Sequence, residues 1–239
     1  MPLIVYLRVK PLTSAVLFFA VPSLYLLIRE PKRLKRILAG TFLIGVIYGF
    51  AFDFLSNFNK AWVVPDPQLW FKFRLLGILP ADELIWFVLW ALFILVFYEH
   101  FYEHERSDDL SHHYVAGLIP GILIWGGLFL MFIVRPSALF LKYSYFDTII
   151  LSLLAPLYLT LKNPNIIIKL VKLGVFFFCL FFIYELTALY LGQWYFPSHY
   201  IGKIEISGLM FPLEELFFWI ILSSTVVVCL YEEFVDDGK

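Results

Sequence analysis

Long uncharged apolar stretches recur at about 12–28, 37–56, 77–98, 114–134, 143–161, 165–190 and 207–230. The hydrocarbon core of a bilayer, about 30 Å thick, is spanned by a helix of about 20 apolar residues, and every stretch approaches or exceeds that length. The second carries Asp53, the fifth Asp147, and the sixth Lys169, Lys172 and Glu185. A membrane barrel would instead alternate apolar and polar residues every second position. The pattern therefore predicts an all-α, polytopic integral membrane protein of about seven transmembrane helices. The first stretch follows Arg8 and Lys10, as in a signal peptide, but no small-x-small cleavage site follows and six more spans do, so it is expected to be retained.

Comparison of the chain with itself gives matches in constant order at an offset of 132 or 133 residues. Tyr25 aligns with Tyr158, Glu30-Pro31 with Asn163-Pro164, Asp53 with Glu185 and Trp62 with Trp194. Pro65 then aligns with Pro197, Pro80 with Pro212, Asp82-Glu83 with Glu214-Glu215, and Leu84 with Leu216. The chain thus divides into a first three-helix repeat (1–106), a connector holding the fourth helix (107–137), and a second three-helix repeat (138–239). Three spans would leave a directly fused copy inverted, and the unmatched fourth span turns the chain around. The expected arrangement is 3+1+3 with parallel pseudo-repeats, related by an axis along the membrane normal. Equivalent residues would then lie at equal depth.

Composition agrees: 62% of the residues are hydrophobic and 15% charged, against roughly 45–50% and about 25% in soluble domains. The net charge of -1 suggests neither nucleic acid nor an acidic partner. Cys179 and Cys229 fall inside apolar spans, where cysteine acts as a small hydrophobe, so neither a disulfide framework nor a zinc site is implied. The expected location is the cell membrane, multi-pass. The cluster Arg29, Lys32, Arg33, Lys35 and Arg36 places its loop and the C-terminus inside by the positive-inside rule.

The most specific local signal is Pro80-Ala81-Asp82-Glu83 and its copy Pro212-Leu213-Glu214-Glu215, each opening a helix. Proline suits a first helical turn, having no amide hydrogen to leave unpaired, and the helix dipole favours acidic residues there by roughly 0.3–1 kcal/mol each. Capping alone accounts for that much. Neighbouring residues on a helix point about 100° apart, however, so at least one member of each carboxyl pair should face the bundle, where an acidic residue is costly and by default functional. Asp53 and Glu185 lie near the ends of the preceding spans, on the same side, as supporting carboxyls. Up to six carboxyls could gather in one region, and crowding in a poorly solvated site raises their affinity for protons. Trp62, Trp86, Trp194, Trp219, Phe87, Phe217 and Phe218 lie near the acids. Aromatic faces attract cations by roughly 0.5–2 kcal/mol, which suits stabilising a cationic intermediate, although interfacial packing is the ordinary use of such rings.

The duplicated P-x-(D/E)-E motif, preceded by Trp62 or Trp194 and followed by an aromatic-rich span, resembles the heterodimer-type lycopene cyclases, in which two three-helix membrane polypeptides cooperate. The chain resembles the fused single-chain form over nearly its whole length except the 107–135 connector. Asp82 stands where the family usually has Glu. The resemblance implies a lycopene β-cyclase, an intramolecular lyase of carotenoid biosynthesis. Such an enzyme catalyses redox-neutral cyclisation of the linear ψ-ends to β-ionone rings, with no cofactor and no metal. It implies Glu215 or Glu214 as proton donor and Glu83 and Asp82 as acceptor or electrostatic stabiliser. The partner it implies is lycopene or a related linear carotenoid taken laterally from the bilayer, with room for association with other carotenoid enzymes.

Other classes fit less well. His100 and His104 are one turn apart, with His112, His113 and His199 the remaining histidines, about half of what a di-iron hydroxylase would need. A solvated acidic loop with Glu99, Glu103, Glu105, Asp108 and Asp109 is the plainer reading. Asp108-Asp109 lacks the second aspartate group of a membrane prenyltransferase. The thirteen glycines never form the G-x-G-x-x-G of a flavin-dependent cyclase, and the last span has no lysine for retinal. A 3+1+3 proton-coupled transporter of small solutes would also use buried carboxylates, but Asn, Gln and Ser for binding a polar solute are sparse in the spans.

Overall fold

The computed structural model describes residues 9–29, 33–103 and 108–236. The aligned Glu30-Pro31, together with Arg8, Lys32, His104 and Glu105, lies outside the described residues. Seven helices are long and apolar enough to cross a membrane: α1 (Pro11–Arg29), α2 (Leu34–Phe58), α3 (Ala81–Phe101), α4 (Tyr114–Val134), α5 (Ser144–Lys162), α6 (Ile166–Tyr190) and α7 (Glu215–Phe234).

Two boundaries differ from the expected ones. Apolar content extends the third and seventh spans back to 77 and 207, but both segments instead end small antiparallel hairpins. β1 (Arg74–Leu75) pairs with β2 (Leu79–Pro80), and β3 (Lys203–Ile206) pairs with β4 (Leu209–Pro212). Both turns carry two consecutive positive φ angles, at Leu76 and Gly77 and at Ser207 and Gly208, the geometry that matches the twist of paired strands. A short apolar strand and a helix start are indistinguishable by hydrophobicity alone. In both hairpins the second strand ends on the proline of the acidic motif.

The buried core joins α1, α2, α3, α6 and α7 through residues such as Phe19, Leu43, Ile94, Phe177 and Tyr231. The fourth helix is peripheral, burying Gly117 and Gly121. Its glycines let it approach closely: a Cβ on Gly121 would collide with Ile47 of α2, and one on Gly117 would come within 2.8 Å of Phe234 of α7. Trp125 Nε1 donates to the Ile47 carbonyl at 2.9 Å, and the Tyr48 hydroxyl to the Gly117 carbonyl at 2.7 Å. These bonds fix α4 against α2.

The loops 59–80 and 191–214 meet at one end of the bundle, where Val63 and Tyr195 form an antiparallel bridge. At the opposite end, ionisable groups tie helices together. Arg36 pairs with Asp236, both buried, and Arg33 Nη1 lies 2.6 Å from Glu99. Tyr231 donates to Glu99 and Tyr98 to Glu232. Glu99 is therefore no part of a solvated loop: it is buried, held by partners from two other segments.

Candidate active site

The helix ends aim the site. At the end of α2, Lys60 adopts a left-handed φ of 55°, its N–H donates to Asn57 O, and the Ala61 N–H donates to Ser56 O. At the end of α6, Gly192 has φ 61°, its N–H donates to Leu189 O, and the Gln193 N–H donates to Ala188 O. Both are Schellman-type terminations, and each turns the chain so that the tryptophan two residues later points its indole N–H at a buried carboxyl, Trp62 at Glu83 of α3 and Trp194 at Glu185 of the helix it has left.

In the first cluster, Asp53 and Asn57 sit one turn apart on α2, on one face, opposite Glu83 in the first turn of α3. Asn57 Nδ2 donates to Asp53 Oδ1 and to Glu83 Oε2, each at 2.8 Å, and Trp62 Nε1 donates to the same Glu83 oxygen at 2.8 Å. The Asp53 carboxyl lies close enough to Glu83 for the two groups to interact electrostatically. In the second cluster, Trp194 Nε1 donates to Glu185 Oε1 at 3.0 Å, and the Tyr145 hydroxyl of α5 donates to Glu215 Oε2 at 2.5 Å. Here too the two carboxyls are electrostatic neighbours. Asp53 and Glu185 are completely buried.

The remaining two acids face the loops. Asp82 Oδ2 accepts the Trp70 N–H at 2.7 Å and Oδ1 the Phe71 N–H at 2.8 Å; Glu214 Oε1 accepts the Ile201 N–H at 2.7 Å. Each adjacent pair thus splits in its partners: Glu83 and Glu215 join the inner carboxyl clusters, while Asp82 and Glu214 anchor the incoming strand.

Glu83 and Glu215 line one cavity of about 410 Å³, within the usual range of about 300–1,000 Å³ for small-molecule sites. Trp62, Trp86, Phe87, Trp194, Phe218 and Trp219 contribute to its wall, as does Asp82. Asp53 and Glu185 stand behind the inward-facing glutamates. Glu214 and Phe217 are not part of the wall, and Phe217 is exposed on the outside of α7. The rings form a continuous layer. Trp86 and Trp219 have centroids 4.7 Å apart, Trp219 stacks on Phe181 at 4.5 Å, and Phe52 meets Phe218 at 5.2 Å. Trp86 Nε1 donates to the Tyr184 hydroxyl at 2.8 Å, leaving the indole faces free of polar duty.

Two residues of the clusters are absent from the sequence expectation. Asn57 carries a readable signal, one turn after Asp53. Tyr145 carries none, since its equivalents at the repeat offset, Leu12 and Thr13, are not aromatic. It joins the clusters physically: its ring centroid is 5.5 Å from that of Trp62, so a path of contacts runs Glu83, Trp62, Tyr145, Glu215. Next to it in the loops, the Tyr200 hydroxyl donates to the Ala61 carbonyl at 2.7 Å, and burial pushes this phenol's pKa up, keeping it a donor.

Comparison of the chain with protein-family models, with curated proteins and with solved structures finds no match.

Proposed function

We propose that the chain is a membrane lycopene β-cyclase built of two parallel pseudo-repeats, isomerising the linear ends of a carotenoid to β-ionone rings without a cofactor. The observation carrying this reading is the placement of Glu83 and Glu215, each backed by a second buried carboxyl, on the wall of one apolar, aromatic-lined cavity. The duplicate organisation is supported by matching details in the two halves: the helix terminations before Trp62 and Trp194, the hairpins ending on Pro80 and Pro212, and the loop-anchoring Asp82 and Glu214.

The chemistry asks for an acid that protonates an alkene with no water beside it to take the proton instead. In the proposed sequence, Glu215 delivers a proton to the terminal double bond of the substrate and a tertiary cation forms. The π electrons of the next double bond then close the ring, moving the positive charge into it. Loss of a ring proton to a carboxylate leaves the cyclic alkene, so one proton enters, one leaves, and no electrons are exchanged. Glu83 suits the acceptor or stabilising role because its Oε2 is fixed by two N–H donors. The faces of Trp86 and Trp219 would stabilise the passing cation by roughly 0.5–2 kcal/mol each.

The test is coexpression with a lycopene-producing pathway in a bacterium. Yellow cyclised products are expected from the wild-type chain, whereas Glu215→Gln and Glu83→Gln should leave the pigment red at unchanged protein level in the membrane. Red pigment with the wild-type protein inserted and folded would reject the reading.

A further inference from the structure

The cavity is open on one side, and its exposed lining shows where. Among the described residues of its wall only Ile124 of α4 (46% exposed) and Leu151 of α5 (65% exposed) are exposed, and they belong to two helices consecutive in sequence. These helices do not pack along each other: α4 lies on α2 and on the end of α7, while α5 lies on the end of α2, on α6 and on α7. Two exposed wall residues on spanning helices that do not pack along each other mark the side on which the cavity would meet lipid.

The rim is built as a frame. At the site end the α4–α5 connector is pinned by Asn59, whose Nδ2 donates to the Leu139 carbonyl at 2.9 Å and whose Oδ1 accepts the Leu141 N–H at 2.8 Å. At the far end, the last turns of α7 hold both α4 and the second half of α5. Midway, α5 breaks at Leu153. Pro156 has no N–H to give the Ser152 carbonyl, and Ser152 lies on the cavity wall. On the α4 side, Gly127 follows Ile124 on the same helical flank, and a Cβ there would meet no atom within 4 Å.

The cavity is also long. On α7 its wall runs from Glu215 to Leu230, about 22 Å at 1.5 Å per residue, with the carboxyls at one end and apolar side chains along the rest. We infer that the gap between α4 and α5 is a lateral window through which one end of a linear polyene slides from the bilayer toward Glu83 and Glu215, the other end staying in lipid. Each end of a symmetrical substrate would then be processed in a separate binding event. The identity of the occupant rests on the cyclase reading; the window rests on the geometry.

The experiment places a photoreactive benzophenone amino acid at Ile124, at Leu151, and at Val175 on the outer face of α6 (61% exposed). The full-length proteins, in membranes loaded with lycopene, are irradiated and their adducts identified by mass spectrometry. Lycopene adducts at 124 and 151 with none at 175 are expected. Equal lycopene labelling at 175, or phospholipid as the sole adduct at all three positions, would overturn the window. A companion variant, Gly127→Trp, fills the gap from the helix edge and should lower labelling at Leu151 by about tenfold or more, the scale of overpacking a fitted site; unchanged labelling counts against the proposal. Ring formation is scored separately on the wild-type chain. Rings without window adducts reject the window alone, and window adducts without rings reject the cyclase reading alone.

Discussion

The Tyr145 hydroxyl donates to Glu215 Oε2 at 2.5 Å, linking the fifth helix to the first residue of the seventh. This bond fixes which rotamer of Glu215 faces the cavity, and it leaves the other oxygen free for the neighbouring carboxyl or a substrate.

Tyr145→Phe keeps the ring contacts with Trp62 and Phe218 and removes only the hydroxyl. Initial rates of ring formation in isolated membranes should fall by about tenfold or more, the low end of what a positioned proton-transfer group contributes. Protein abundance should stay near wild type, since the ring continues to fill its place. A rate equal to wild type would remove Tyr145 from the machinery.

The acids turned toward the loops should behave as structural anchors. Asp82 receives two backbone amides and Glu214 one, and an amide that loses its buried acceptor costs about 1–3 kcal/mol. Asp82→Asn should therefore lower the thermal midpoint in detergent more than Glu214→Gln. Residual activity per folded molecule should remain far above that of Glu215→Gln. Complete inactivity of a stable Asp82→Asn protein would return Asp82 to a chemical role.

Lys60 and Gly192 occupy matching left-handed positions at the ends of α2 and α6. A side chain is disfavoured there and glycine is not, so Lys60→Gly is expected to stabilise the protein by about 0.5–1 kcal/mol, net of the larger chain entropy of glycine when unfolded. Thermal denaturation followed by intrinsic tryptophan fluorescence would read the shift.

Two glycines of α4 make a controlled pair. A Cβ at Gly121 collides with Ile47, whereas one at Gly126 meets nothing within 4 Å. Gly121→Ala should destabilise the α4–α2 contact by about 1–3 kcal/mol, while Gly126→Ala should be neutral or stabilising by about 0.4–1 kcal/mol. Equal midpoints for the two variants would contradict the close approach.

Seven apolar stretches of spanning length were enough to determine the helix number, because the bilayer imposes one length on every crossing. Trp62 and Trp194, like Glu83 and Glu215, stand at a common offset in the sequence. The angular spacing of a helix implied that at least one acid of each adjacent pair should face the bundle, but not which. Tertiary structure decided that Glu83 and Glu215 join the inner carboxyl clusters while Asp82 and Glu214 hold amides, since that choice depends on where the loops leading into the β1–β2 and β3–β4 hairpins bring their backbone N–H groups. It also brought Tyr145 to Glu215 across 70 residues, left α4 and α5 apart, and drew Glu99 out of its loop onto Arg33 and Tyr231. Hydrophobic length fixes each helix against lipid and is local to the chain. The contacts between helices depend on rotation and on close approach at single residues such as Gly121, which no pattern along the chain encodes.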